Sequence, residues 1–570
     1  MEKNFISWPD GWPKSINYPE IPVYECLDQT AKRIPGRLSI IFGGMELTFA
    51  ELKNLSLKFA AALESLCVVK GDRVAIHLPN SPQFAIAYYG LLRIGAVFTP
   101  MSPLMSAKEA EYQLNDSGAK ILVSLDLLYP SIKDILGNTQ VEHVITTSIA
   151  DCYSPVLAPE KLLGKIDVPD TIDMVSLLKE HKPDIPAIEI DVKTDLAHLA
   201  YTGGTTGLSK GVMLTHYNVM ANSLQFSCWM SGAHVEMAGD KLTFVYPPGV
   251  DPKTDRVGVF DKETALAVVP WFHAMGAIAY LNTQVISGNT MVVFPRFEPR
   301  EYIDAVGKYN AYAMGGAPQL YIPLLNLPDF DTYDLSGIRL ATSGAAPLPV
   351  PIFDKLLNAF SGVIIEAYGL TECSMGAIAN PPIRELLRPG SVGIPIFDTE
   401  CKIIDIESGE ELPTDSEGEL CIKGPQVMQG YWNNPEETAR VLNNGWLHTG
   451  DIARQDETGY FYITDRIKDM IIYKGYNVFP RDLEEVLIKY PAVEMCAIVG
   501  KPSDEGGEIP VAFVQLKQGQ QTTADDLMSF VNNQVAPYKK IREVFFQDQL
   551  PVSAAGKILK KDLRKLFIDK

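Results

Sequence analysis

The sequence predicts an α/β fold in which a large N-terminal unit is followed by a small α+β unit. Three observations carry this. The chain has 570 residues, more than one hydrophobic core usually supports when domains run to about 150 residues. Residues 73–125 alternate strand, helix, strand, helix, strand, which implies a parallel sheet. From residue 471 the pattern resets into shorter strands and amphipathic helices. With 46% hydrophobic and 21% charged residues, the composition is that of an ordinary globular protein able to bury a large core.

The elements follow in order. Arg73-Val-Ala-Ile-His-Leu78 reads as a short strand, and Ser81-Pro82 then caps a helix that carries Phe84, Ala87, Tyr88 and Leu91 and stops near Gly95. A second strand occupies 96–99. Ser106 and Glu109 form a capping box for the next helix, which ends near Gly118, and 120–124 is a third strand. Residues 128–194 hold several Pro and Asp, show weak periodicity and give no functional reading. A helix is predicted over 217–230. The stretch 238–262 is long, charged and interrupted by Pro and Gly, and reads as a surface loop or an oligomer contact, with a homodimer as the assembly considered. A buried strand returns at about 265. In the C-terminal unit the spacing predicts a helix over 480–489, strands around 495–499 and 510–515, and a helix over 523–534.

The formal net charge of −20 argues against broad binding to nucleic acid or to an anionic membrane surface, so an anionic ligand has to be held locally. Residues 539–570 are the exception, with nine Lys/Arg against four Asp/Glu, a net +5. The start of the chain lacks the apolar core of a secretory signal, and no stretch is long enough to span a bilayer. Eight scattered cysteines suggest neither a disulfide framework nor a zinc knuckle. A reduced, cytoplasmic setting is expected.

The most informative stretch runs Tyr201-Thr-Gly-Gly-Thr-Thr-Gly-Leu-Ser-Lys-Gly-Val-Met-Leu-Thr-His216. Gly203, Gly204, Gly207 and Gly211 let backbone approach an anion. Thr202, Thr205, Thr206 and Ser209 add hydroxyl donors, and Lys210 adds a cation. This composition points to a phosphate loop. It is not the P-loop NTPase motif, because Lys210 is followed by Gly211 and not by the hydroxyl residue that would place Mg²⁺. A flexible Gly/Ser/Thr connector is the plainer alternative.

Further landmarks lie downstream. Pro270-Trp-Phe-His-Ala-Met-Gly276 opens from a buried strand into a loop, where His273 is either a pocket residue or a hydrogen-bonded core histidine. Gly315-Gly-Ala-Pro318 and Ser343-Gly-Ala-Ala-Pro347 follow apolar runs and offer small residues to a flat ligand, although either is also an ordinary turn. Tyr368-Gly-Leu-Thr-Glu372 combines an aromatic able to stack on adenine, a hydroxyl for phosphate and a carboxylate for Mg²⁺. Trp446-Leu-His-Thr-Gly-Asp451 places a carboxylate beside a glycine turn, suited to ribose hydroxyls or simply to the turn. Lys557 follows a glycine and precedes a helix, where a lysine is ordinarily solvent-facing.

The motifs, taken in order over nearly the whole chain, resemble the acyl-adenylate-forming superfamily of acyl-CoA synthetases, peptide-synthetase adenylation domains and luciferases, closest to medium- or long-chain fatty-acid–CoA ligases. The resemblance implies an adenylate-forming domain over 1–466 and a small mobile lid over 467–570, with its hinge at Lys468. It implies that Thr202, Gly203, Gly204, Thr205, Thr206, Gly207 and Lys210 hold the polyphosphate. Gly344, Ala345, Ala346, Glu366, Ala367, Tyr368 and Gly369 would border the adenine, Thr371 would touch phosphate, and Glu372 would bind Mg²⁺. Asp451, Ile463 and Arg466 would meet the nucleoside, and Lys557 would be the main cation of adenylation. The acyl pocket would be lined by His273, Gly276, Ala277, Gly315, Gly316, Gly344 and Gly376, the small residues there being needed either for the ligand or for backbone packing. Lys474, Gly475 and Tyr476 would approach the thiol donor.

The implied reaction has two halves. A carboxylate attacks the α-phosphorus of ATP and pyrophosphate leaves; the thiolate of CoA then takes the acyl group and AMP is released. The implied acid is a medium- or long-chain fatty acid, with aryl and branched acids left open. Alternatives within the family are a carrier-protein pantetheine as acceptor, which an attached carrier domain would have favoured, and oxidation of the adenylate as in a luciferase. From another class, a non-catalytic nucleotide-binding protein is disfavoured by the presence of Lys210, Glu372, Asp451 and Lys557 together.

Overall fold

All twelve residues of the helix Pro82–Arg93 are buried, so the strands around it must form a sheet covered on its face, which is the condition for parallel pairing. Ser81 caps this helix by accepting the Phe84 N–H at 3.3 Å, with Pro82 in its first turn. The strands Arg73–His77, Val97–Pro100 and Ile121–Leu125 pair in parallel as the alternation predicts. Ser106 and Glu109 form the expected capping box on Ala107–Ser117, which Gly118 ends at φ +60°. The computed structural model describes residues 7–152, 164–202, 209–346, 348–474, 476–503, 507–552 and 558–568.

These strands belong to an eight-stranded sheet. Its order is Gly430–Tyr431, Lys210–Thr215, Leu196–Thr202, Val97–Pro100, Arg73–His77, Ile121–Leu125, His143–Thr147, Ile172–Asp173. Segment 128–194, silent in the sequence, thus supplies two of its strands and the helix Met174–Glu180. A nine-stranded sheet has the parallel block Val363–Tyr368, Leu340–Ser343, Ala313–Gly316, Thr264–Ala267, Thr290–Val293, Leu38–Phe42 at its centre. The predicted helix near 217–230 is His216–Ser231. Its buried polar side chains reach across to the segment that carries the nine-stranded sheet's antiparallel strands Ile378–Ala379 and Ile394–Pro395: Asn222 donates to the Gly376 carbonyl, Gln225 to the Phe397 carbonyl and Trp229 to the Asn380 carbonyl.

A third, antiparallel sheet comprises Glu400–Ile404, Gly418–Lys423, Trp446–Gln455, Leu442–Asn443 and Phe461–Arg466. The largest core holds buried side chains from Trp8 to Phe461, a smaller cluster lies between Ala75 and Ile132, and two further clusters begin at Ile471 and Ala497. The C-terminal sheet is built on the long strands Val493–Ser503 and Gly507–Leu516, flanked by the helices Pro480–Leu487 and Ala524–Asn532. It meets the preceding strand through a backbone hydrogen bond and the turn Ile467–Asp469 through an ion pair. The Arg481 N–H donates to Asp465 at 3.0 Å and Arg564 pairs with Asp469 at 3.0 Å.

The stretch expected as a surface loop is only partly one. His234–Ala238 and Lys241–Val245 form a hairpin, but the chain then turns inward and Val259 is buried. Upstream, Trp8, Trp12, Trp229 and Phe397 form an aromatic cluster with centroid separations of 5.2–6.3 Å. Trp229 sits at its middle, so Trp229→Ala is expected to cost about 3–5 kcal/mol and to lower the calorimetric unfolding temperature of the N-terminal unit.

Candidate active site

Tyr368 ends the last parallel strand of the nine-stranded sheet, while Asp451 and Arg466 lie opposite each other on adjacent strands of the third sheet. The Tyr368 hydroxyl donates to Asp451 Oδ2 at 2.5 Å, and Arg466 Nε approaches Oδ1 at 3.1 Å. Asp451 is 3% exposed, so its charge needs both partners. Burial, and then Asp451, push the Tyr368 phenol well above its ordinary pKa. The turn that presents Asp451 is fixed: Gly450 adopts φ +69° and donates its N–H to Glu419 at 3.0 Å, whose other oxygen lies 3.0 Å from His448 Nδ1. Ile463 pairs with Ala453 two positions along the same ladder, past a register shift.

Glu366, expected beside the adenine, faces into the protein. Its carboxyl accepts the N–H groups of Leu348 at 3.4 Å and Gly390 at 3.3 Å, and burial pushes it up to about 7. It therefore supports the chain after Ala346 while Ala367, Tyr368 and Gly369 face the cavity described below. Ala345 adopts φ +64°, a left-handed turn that directs the backbone of 344–346 past the strand end.

The glycine-rich loop expected to hold phosphate is framed by a hairpin in which Thr202 lies opposite Lys210. Gly203, Gly204, Thr205, Thr206 and Gly207 lie outside the described residues, as do Gly475 and Lys557. Lys210 forms an ion pair with Glu437 and sits 5.1 Å over the ring of Tyr431. Tyr431 in turn donates to Glu372 Oε1 at 2.7 Å. The Arg440 guanidinium and then Lys210 hold the Glu437 carboxyl down at about 2. Thr371 and Glu372 share a single 3₁₀ turn, tied down where the Met428 N–H donates to the Glu372 carbonyl at 2.9 Å. Lys468 is exposed on the turn Ile467–Asp469. Lys474, at φ +51°, is in the turn after the strand Ile471–Tyr473, and the exposed Tyr476 begins the next strand of the C-terminal sheet and stacks on Tyr538 at 4.8 Å.

A cavity of about 1250 Å³, counting its open mouth, begins at this cluster. At the carboxyl ends of the parallel strands it is lined by Ser343, Gly344, Tyr368 and Thr371, and at their amino ends by Leu340, Ala313, Ala265 and Asn289. It lies between that sheet and the helical segments carrying Phe226, Met230, Met275 and Tyr280. Tyr280 sits in a π-turn over Ile278–Asn282.

Of the residues that the resemblance places in the acyl pocket, His273, Gly344 and Gly376 line this cavity, and Gly276, Ala277, Gly315 and Gly316 do not. Their smallness serves packing. A Cβ on Gly276 would lie 1.8 Å from the Pro270 carbonyl oxygen, and one on Gly315 would strike Thr342 and Tyr280 at 2.1 Å. The sequence reading missed Tyr431, Glu437, Phe226 and Tyr280. Glu437 is visible afterwards as the N3 residue of the Asn434-capped helix Pro435–Val441, but pairing with Lys210 across 227 residues has no local signature.

The site can thus hold a nucleotide at the strand ends and an elongated apolar group along the sheet. The chain matches the family model described as AMP-binding enzyme over residues 27–432 and that described as AMP-binding enzyme C-terminal domain over 482–557. A long-chain-fatty-acid–CoA ligase of Bacillus subtilis is 38% identical over 566 residues, covering 98% of this chain and 96% of that protein. One from Escherichia coli O6:H1 is 34% identical over 584 residues, covering 99% and 98%. The crystal structure of ATP-bound MatB from Rhodopseudomonas palustris has a TM-score of 0.81 at 26% identity, covering 96% of this chain and 99% of that one. An anthranilate CoA ligase, AuaEII, in complex with anthranoyl-AMP shares the fold at a TM-score of 0.82 and 24% identity, covering 97% and 98%. Motif order, site geometry and full-length similarity agree: the chain belongs to the AMP-binding enzyme family.

Proposed function

We propose that the protein joins a medium- or long-chain fatty acid to CoA through an acyl-adenylate, consuming ATP and releasing pyrophosphate and AMP. The cavity carries this reading. It follows the parallel strands from end to end; Leu340–Ser343 alone spans roughly 10 Å at ~3.3 Å per residue, and lining residues continue beyond both ends. Such a length accommodates an extended alkyl chain better than a single ring. Relatives named as long-chain-fatty-acid–CoA ligases support the same class.

In this reading the adenine lies against Tyr368 and the 344–346 backbone. The ribose hydroxyls donate to Asp451, whose carboxylate retains lone pairs beyond those used by Tyr368 and Arg466. The polyphosphate sits over the 202–210 loop, where Lys210 exchanges Glu437 for phosphate oxygens, and Thr371 donates to the α-phosphate. Glu372 fits Mg²⁺: it is a hard oxygen donor, and Tyr431 occupies only one of its oxygens. The ion, when bound, supplies charge neutralisation to the departing pyrophosphate. Lys557 is assigned the developing negative charge of the adenylation transition state. The acid's carboxylate enters past His273 and attacks the α-phosphorus in line; the α–β phosphoanhydride bond breaks and pyrophosphate carries its electrons away. CoA thiolate then displaces AMP at the carbonyl. The two hydrophobic cores that part between Phe461 and Ile471 support a domain division at about residue 466, with the hinge at Lys468 bringing Lys474–Tyr476 toward the thiol donor for this second half. Among the described residues no helix is long and apolar enough to cross a membrane, and eight free cysteines suit a reducing compartment such as the cytoplasm.

The direct test is ATP-dependent release of AMP and pyrophosphate across short, medium, long and aromatic acids, with and without CoA, with products identified by mass. Acyl-CoA from medium or long fatty acids is expected. Preference for aromatic acids, or an adenylate that CoA does not consume, would overturn the substrate or the acceptor. Lys557→Ala is expected to slow adenylation by at least ~10²-fold, the scale for one preorganised transition-state group, and still to convert supplied acyl-adenylate to acyl-CoA. Equal loss of both halves would contradict that assignment. Asp451→Ala should weaken ATP binding by roughly 10- to 100-fold in calorimetric titration, as expected for hydrogen bonds to a charged acceptor.

A further inference from the structure

Residues 256–260 follow the hairpin of 234–245, and Gly258, Val259 and Phe260 line the cavity together with Tyr312, Ser287 and Asn289. These last three stand at the amino ends of the parallel strands, the far end from Tyr368. A Cβ placed on Gly258 would lie 3.6 Å from Tyr312 Cε2 and 3.9 Å from its hydroxyl, so Gly258 sits against the Tyr312 ring at the distal end, with room for a Cβ in ordinary contact. Gly258 is outside the left-handed region of φ, and a side chain there strains no backbone.

The segment is pinned on both sides. Arg256 lies 5.9 Å over the Trp12 ring, and Phe260 stacks on Phe244 of the hairpin at 3.8 Å and 13°. Immediately after it, Arg33 grips Asp261 with bonds of 2.8–3.0 Å, and the Asp261 N–H donates to the Ser287 carbonyl at 2.9 Å. A wall held by an aromatic stack, a guanidinium fork and a backbone bond does not yield to an overlong ligand without breaking one of them.

We propose that residues 256–261 are the end stop of the acyl tunnel, with Gly258 and Phe260 setting the longest fatty-acyl chain the enzyme accepts. The inference rests on the fatty-acid reading above. Up to the stop, each added methylene buries more apolar surface and raises kcat/KM by about fourfold; beyond it, the chain meets the pinned wall and kcat/KM falls.

The test compares kcat/KM for a series of even-chain saturated acids from octanoate to octadecanoate in the wild type, Gly258→Leu and Phe260→Ala, with CoA present. Gly258→Leu adds a branched side chain beside Tyr312 to the distal end of the cavity that Gly258 lines and should lower the hexadecanoate-to-octanoate ratio by about tenfold or more. Phe260→Ala opens the end and should move the optimum toward longer acids. The ratio is internal to each preparation, so a folding defect, which lowers every acid alike, does not imitate the effect. If Gly258→Leu fails to fold, the Phe260→Ala profile decides in the opposite direction. Ratios and optimum unchanged in the variants would overturn the end stop. A wild type that releases AMP with no fatty acid would instead overturn the function on which it rests.

Discussion

The buried carboxylate of Asp451 is the constraint around which the site is assembled. A charge almost fully removed from water must be compensated by hydrogen bonds and an opposite charge. Its partners come from different places: Tyr368 from the end of a parallel strand of the nine-stranded sheet, Arg466 from the neighbouring strand just before the C-terminal unit. Satisfying one carboxylate therefore fixes how the third sheet sits against the parallel one. It also aligns a ring, a carboxylate and a guanidinium at one edge, an arrangement suited to a nucleoside.

The same economy appears at the phosphate end. The protein is strongly acidic overall, yet Lys210 is held over Tyr431 and beside Glu437, and Tyr431 also holds Glu372. A cation and a metal-fitting carboxylate thus share one aromatic bridge on the strand that flanks the loop hairpin. The charge at this place is therefore balanced locally, Lys210 and Arg440 against Glu437 and Glu372, whatever the net charge of the chain. The cavity behind follows from the layers themselves. Parallel strands covered by buried helices leave a slot along the strand direction wherever small or flexible residues such as Gly344, Gly376 and Met275 stand in for bulkier ones.

Local chemistry explains what was legible without coordinates. The caps at Ser81 and Ser106, the parallel alternation of 73–125 and the helices of the C-terminal unit each depend on residues within a turn or two of one another, and each formed as expected. Tyr368, Thr371, Glu372 and Asp451 stood out because ordered motifs combine unusual side chains over a few positions. The glycines show the opposite case: Gly276 and Gly315 look like pocket residues in a string of letters, and only the Pro270 carbonyl and the Tyr280 hydroxyl pressed against them reveal a packing role.

By itself the sequence determined the fold class and the division into a large and a small unit, and it singled out the side chains proposed for the nucleotide, because periodicity, capping and motif chemistry are short-range properties. Tertiary structure alone decided which partners complete those groups and how deep the apolar slot runs. Lys210 meets Glu437 across 227 residues, Tyr368 meets Asp451 across 83, and the segment 256–260 turns from an apparent surface insertion into a cavity wall. Such contacts are set by how sheets and helices pack once chain entropy has been overcome, and nothing in the neighbouring residues encodes them.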